Sequence, residues 1–154
     1  MDLLAPLIAD VATDVDDPLE YRVAGHAPMS ARVRSAVRSY YRGLRSLTST
    51  RPAREVFDAA MVVAKRQPRW RLHVVDPEDG FLEAVAYRRY FGLRDDVVIR
   101  VRSGDGETRV DMRSASRLGP VDFGVNAERI GAYLRQLGDE LAARDPLRGP
   151  NAPW

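Results

Sequence analysis

The sequence predicts an α+β domain in which a curved antiparallel sheet closes on a long C-terminal helix, in the order β-α-β-β-β-β-α. Three observations predict it. Residues 95–102 and 108–116 alternate apolar and polar side chains around a turn, 103–107, whose Gly-Asp-Gly core reaches positive φ cheaply. Residues 70–75 and 81–91 alternate in the same way around Asp76-Pro77-Glu78-Asp79-Gly80. Ile130, Tyr133, Leu134, Leu137 and Leu141 then recur at helical spacing. Antiparallel strands joined by tight turns need a helix layer on at least one face, so these elements belong to one packed unit.

Composition sets the outer limits. A chain of 154 residues with 45% hydrophobic content forms one domain with its own core. The absence of cysteine excludes disulfides and thiolate chemistry, and His26 and His73 do not make a metal site on their own. Neither a metal nor a cofactor is expected. The net charge is +2, with Lys65 the only lysine; acids nearly balance the arginines, so nucleic acid is not an expected partner. No run approaches the ~20 apolar residues of a membrane helix. Residues 1–8 are apolar but short, and Asp2 stands where a secretory signal is basic. A soluble, cytoplasmic protein is expected.

Taken in order, residues 9–21 read as an extended or turn-rich arm carrying Asp10, Asp14, Asp16 and Asp17. Their spacing lacks the glycine and closing glutamate of a calcium loop, which leaves them as solvated turn residues or partners of arginines. His26 lies in a loop and reads as polar surface. Residues 30–41 have helical spacing, with Arg32, Arg34, Arg38 and Arg42 off the apolar side; this is a solvated helix face or a peripheral membrane contact. Residues 44–50 are a weak first strand. Pro52 sits in the first turn of a helix that carries Val56, Phe57, Ala60, Val63 and Ala64 and that Pro68 stops.

In the first hairpin, Trp70, Leu72, Val74, Leu82, Ala84 and Ala86 share the core face. His73 and Glu83 then oppose each other on the second face, either as acid–base machinery or as a cross-strand polar pair. In the second hairpin, pairing Ser103 with Thr108 sets Arg100 opposite Asp111, Val98 opposite Arg113, Val101 opposite Val110 and Ile99 opposite Met112. Asp95 and Asp96 point to opposite faces and cannot easily act as a dyad; one faces arginines and the other caps the strand. Asn126 is the expected N-cap of the last helix, with Val125 and Ile130 as its hydrophobic staple. The organisation expected is an N-terminal arm, helix and strand over 1–50, a core over 51–143, and a flexible proline-rich tail over 144–154 ending in Trp154. The layout is of the helix-grip type, as in TATA-binding-protein-like and START-like folds, and such a sheet can enclose an apolar cavity against its helix.

Several polar residues fall near a strand end and the last helix start: Arg100, Asp111, Arg113, Ser114, Ser116, Arg117, Asp122, Asn126 and Arg129. One reading is a buried network that pins the loop to the sheet. A second is an anionic head-group site, with Arg100, Arg113, Arg117, Asp122, Asn126 and Arg129 as ligand-binding residues. A third is catalysis, with Asp96 or Asp111 as acid or base and Ser114 or Ser116 as nucleophile, although no histidine stands nearby in sequence to complete a triad.

The same residues carry a family resemblance. Val110-Asp111-Met112-Arg113-Ser114-Ala115-Ser116-Arg117-Leu118-Gly119, then Asp122-Phe123-Gly124-Val125-Asn126 and Arg129-Ile130, resemble the signature VDxRSxSRxGxxDxGxNxxRI of the domain of unknown function 1499 family (DUF1499). Asp95-Asp96-Val97-Val98-Ile99-Arg100 is similar to its DDVxxR strand, and Asp10, Thr13-Asp14 and Asp17-Pro18 to its opening arm. Leu19 stands where a second proline is usual, and Pro120-Val121 replaces a basic-polar pair. The resemblance spans about residues 9–140. It implies a fold and a site but no activity. The expected function is binding of a hydrophobic or anionic, lipid-like small molecule between sheet and C-terminal helix. A small hydrolase- or cyclase-type enzyme and a structural or interaction domain are the alternatives.

Overall fold

The computed structural model describes residues 8–146; the expected Trp154 end of the tail lies outside them. The elements are β1 (Asp10–Ala12), α1 (Ala31–Tyr40), β2 (Leu47–Ser49), α2 (Ala53–Arg66), β3 (Trp70–Asp76), β4 (Phe81–Tyr87), β5 (Arg94–Gly104), β6 (Glu107–Ser116) and α3 (Val125–Ala143). The sheet is antiparallel, in the order β1-β6-β5-β4-β3, and β2 shares the outer edge of β6 with β1. β1 pairs with the Arg113–Ala115 half of β6 and β2 with its Thr108–Val110 half. Two helices on one face and a sheet of antiparallel strands make the α+β, helix-grip layout that the sequence predicts.

The β5–β6 hairpin has the predicted register, Arg100 with Asp111, Val98 with Arg113 and Ser103 with Thr108. Val97, Ile99, Val101, Val110 and Met112 therefore share one face and meet Phe57, Val63, Ile130, Tyr133 and Leu137 of α2 and α3. Tyr133 is fully buried, donates its hydroxyl to the Ala60 carbonyl at 2.7 Å and stacks on Trp70; burial pushes its phenol well above the ordinary range. These side chains pack between the sheet and the helices, the layer in which such a layout can enclose an apolar cavity.

The other face has its own small core, Phe81, Val98 and Val74, covered by Leu19 and Tyr21 of the arm. Val74 was expected with Trp70 and Leu72. A bulge at His73 shifts the register between Leu72 and Val74, so the side chains after it change face. The bulge also undoes the expected His73–Glu83 pair. His73 is exposed, whereas Glu83 is 1% exposed and opposite Val74. The Glu83 carboxylate instead accepts the backbone N–H groups of Arg22, Val23 and Ala24 at 2.7–3.2 Å, which fastens the arm to the sheet.

Local chemistry sets the helix ends. Ser30 caps α1, accepting from the Val33 N–H at 3.3 Å, and Val37 is its buried anchor. Of the arginines read as a solvated helix face or a peripheral membrane contact, Arg38 pairs with Asp16 and Arg42 donates to the Ser39 carbonyl. The N-cap of α3 lies two residues earlier than predicted, at Gly124 with φ 82°. Asn126 is thus inside the helix, and Val125 is its first residue, not the flank of a staple. Asp122 does the capping, accepting from the Gly124 N–H at 2.9 Å and the Asn126 N–H at 2.8 Å. At the β3–β4 turn, Gly80 has φ +62°, and a Cβ there would lie 2.2 Å from the Val101 carbonyl oxygen; only glycine fits.

Candidate functional site

The polar residues that looked like one cluster form separate groups. On the helix face of β5, Asp95 is fully buried. Arg88 grips it with Nε and Nη2, each at 2.8 Å, and Arg129 Nη2 donates to it at 2.7 Å. Arg88 Nη2 also donates to Ser116 Oγ at 2.8 Å, as does Asn126 Nδ2 at 2.9 Å. Ser114 Oγ donates to Asn126 Oδ1 at 2.6 Å, and Arg129 Nη1 donates to both at 2.8–3.1 Å. A buried carboxylate needs this degree of pairing to stay charged. The hydroxyls considered as nucleophiles are held inside this network, and His26 lies across the sheet from them, bonded to Asp96.

At the far end of the hairpin, Asp111 is fully buried under Arg100, Arg102 and Arg109, which also reach Asp14; Arg100 and Arg102 reach Asp17 as well. Thr13 and Ser46 donate hydroxyls to Asp111. The acids of the arm are thus arginine partners, and Asp14 also accepts the Asp16 and Asp17 N–H groups in a turn. Among the described residues, no group of three acidic, histidine or cysteine side chains is placed to hold a metal ion.

Arg113 crosses the arm-covered face and is 0% exposed. Its Nε and Nη2 hold Asp10 at 2.8–2.9 Å, Nη1 donates to the Leu19 carbonyl at 2.7 Å, Nη2 to the Ala27 carbonyl at 3.0 Å, and the Tyr21 ring lies 5.0 Å away. Burial works against its charge, but Asp10 outweighs it and holds the guanidinium above its ordinary pKa.

Asp96 was expected either to face arginines or to cap its strand. It faces Arg117, which grips it with Nε and Nη2 at 2.8–2.9 Å, while His26 Nε2 bonds the same carboxylate at 2.8 Å. Burial pushes Asp96 up, and the bonds from His26 and Arg117 overcome this and hold it below the usual carboxylate range. Together with Val23, Ala24 and Gly25 they line an open pocket of about 420 Å³.

A second depression, of about 480 Å³, runs between α3 and the segment that leads into β2. Gly131 and Gly138 leave the α3 wall bare, and Leu44, Leu47 and Leu134 supply apolar surface. A Cβ on Gly138 would reach no closer than 4.0 Å to Leu47, and one on Gly131 would lie 3.2 Å from Arg135 Nη1. Arg45, Arg135 and Asp139 complete the lining, and among the described residues neither arginine makes an ion pair.

The arm, the β5 strand and the β6–α3 segment thus hold one another through residues of a single sequence signature. The model of the family described as protein of unknown function (DUF1499) matches residues 10–137. The chain belongs to the DUF1499 family. None of the curated proteins matches its sequence. Among solved structures, this DUF1499 domain is similar to Ara h 8.0201, at 9% identity and TM-score 0.48 over 64% of this chain and 95% of that one. It is also similar to CalU16 from Micromonospora echinospora, at 16% identity and TM-score 0.40 over 64% and 82%, and to DR_A0006 from Deinococcus radiodurans, at 12% and 0.36 over 64% and 89%. Likeness at this level speaks to neither ligand nor activity.

Within the DUF1499 signature, Ser114, Ser116, Asn126 and Arg129 meet around Asp95, whereas Arg113, Arg117 and the Arg100–Asp111 pair lie elsewhere on the sheet. Arg88, His26 and Glu83 were not read as parts of these groups. Arg88 falls inside the strand expected over 81–91, but β4 ends at Tyr87. Its signal is its place two residues past Ala86, which pairs with Asp95, so that it reaches the Asp95 carboxylate across the β4–β5 turn. No helix among the described residues is long and apolar enough to cross a membrane.

Proposed function

We propose that this DUF1499 domain binds a small amphipathic acid, with its alkyl part in the groove between β2 and α3 and its anionic head at Arg45 and Arg135. The observation that carries this reading is the pairing of a bare glycine wall on α3 with two arginines that have no ion-pair partner among the described residues. A glycine inside a helix costs about 1 kcal/mol relative to alanine, and here two of them leave an apolar trough open. The arginines of the signature support a different role. Arg113, Arg129 and Arg100 are bound to acids of the same chain, and we read their networks as fixing the arm and loop onto the sheet. The enzyme alternative keeps less support, because Ser114 and Asp111 are buried and bonded.

Calorimetric titration with octanoate and octanol tests the head-group half of the reading. Octanoate binds more tightly than octanol to the wild type, and the difference disappears in Arg45→Gln/Arg135→Gln. Equal affinity for acid and alcohol would refute the assignment of the arginines. Native mass spectrometry with organic extraction of the purified protein then names the resident molecule.

A further inference from the structure

Independently of the groove, the geometry points to the His26–Asp96–Arg117 pocket as a binding site for an anionic oxygen that stands beside a hydroxyl, as in hydrogen phosphate or a 2-hydroxy acid. Asp96 is 1% exposed, and its carboxylate accepts three bonds from inside the protein. Oδ2 takes His26 Nε2 at 2.8 Å and Arg117 Nε at 2.9 Å, and Oδ1 takes Arg117 Nη2 at 2.8 Å. An ionised carboxylate only accepts, so the hydrogen of a neutral His26 sits on Nε2 and Nδ1 is left as an acceptor. The Tyr21 ring, 4.8 Å away and tilted, packs against the imidazole. Arg117 has spent Nε and Nη2, which leaves Nη1 with its two N–H groups, on a side chain 39% exposed. The nearby Val23 and Ala24 N–H groups are consumed by Glu83 and offer nothing to a ligand.

With the His26 hydrogen on Nε2, the site presents a cationic donor, Arg117 Nη1, and an acceptor, His26 Nδ1, both anchored on the same buried acid. Asp96 cancels the charge of Arg117, so charge alone does not select the ligand. A ligand satisfies both groups only if it accepts from Arg117 Nη1 and donates to His26 Nδ1. Sulfate and acetate at pH 8 have the oxygen but not the hydrogen. Hydrogen phosphate and lactate have both. Gly25 lines the same pocket, and a Cβ there would meet nothing within 4 Å, so the mouth is open at the loop.

The two histidines make the test direct, because His73 is exposed on the bulged strand and serves as an internal control. The side-chain ¹⁵N and ¹³C signals of His26, the Gly25 amide and the Arg117 guanidinium are followed at pH 8 and constant ionic strength during titration with sodium phosphate, lactate, sulfate or acetate. Saturable shifts are expected with phosphate, lactate or both, at least tenfold weaker with sulfate and acetate, and none at His73. The ion that saturates first identifies the source of the ligand. His26→Phe keeps a ring against Tyr21 and leaves Asp96 paired with Arg117 but has no acceptor; its Gly25 and Arg117 signals are expected to stop responding while its amide spectrum stays folded. Equal response to sulfate and phosphate, an unchanged response in the folded His26→Phe variant, or no saturable shift with any of the ions overturns the proposal.

Discussion

Asp95 and Asp96 are sequence neighbours on β5, yet their carboxylates lie on opposite faces of the sheet, each held by an arginine through two nitrogens: Arg88 for Asp95 and Arg117 for Asp96. The first pair closes a network under α3, and the second sits at the edge of an open pocket. Alternation of side chains along a strand thus splits one acidic dipeptide into a structural group and an accessible one.

Arg113 is predicted to matter for stability and not for ligand binding. Arg113→Leu would leave Asp10 without its partner and the Leu19 and Ala27 carbonyls without their donor. Breaking a buried pair by removing one member costs about 3–5 kcal/mol. Urea unfolding is expected to show that loss, while octanoate affinity of the folded fraction stays unchanged.

Asp122→Ala removes the acceptor for two N–H groups at the start of α3 and is predicted to cost about 1–2 kcal/mol, read as a lowered unfolding midpoint. Asp122→Asn, which keeps the side-chain oxygen, is expected to lose less.

Two glycine substitutions are predicted to have opposite signs. Gly80→Ala places a methyl 2.2 Å from the Val101 carbonyl oxygen at positive φ and is expected to destabilise by about 2–4 kcal/mol. Gly138→Ala meets Leu47 at an ordinary contact distance inside a helix and is expected to stabilise by up to about 1 kcal/mol. Thermal unfolding of the two variants checks both.

Much of this was readable from the chain. The β5–β6 register followed from keeping apolar residues opposite one another, because a slip by one residue would have turned Ile99 and Met112 out of the core. The α3 stripe followed from its period. The bulge at His73 was not readable, since a single extra residue leaves the alternating pattern looking intact on either side. The cap of α3 was misread because Asn126 is a good capping residue, and only the backbone shows that Asp122 has taken the role. His26 looked like loop surface because its partner Asp96 is 70 positions away. The groove depends on what two helical glycines lack, and their meaning appears only once β2 lies across from them.

Asp96 makes stability depend on acid in a defined direction. Burial raises its pKa, but His26 and Arg117 bring it below the ordinary value. A group depressed in the folded state contributes stability that is fully present above its unfolded pKa, about 3.9, and is lost as pH falls through the folded value. The stability difference between wild type and Asp96→Asn is therefore predicted to be largest near pH 7 and to shrink below about pH 4, as measured by urea unfolding at both pH values.

The groove carries the central claim, and a chain-length series tests it most directly. Each methylene taken into an apolar groove contributes about 0.8 kcal/mol, roughly fourfold in affinity. Calorimetric titration of the wild type with hexanoate, heptanoate and octanoate is predicted to show that step at each added carbon, and Gly138→Leu, which fills the trough from α3, is predicted to abolish binding while α3 stays folded. Affinities that do not depend on chain length, or octanoate binding that survives in a folded Gly138→Leu variant, would contradict the account.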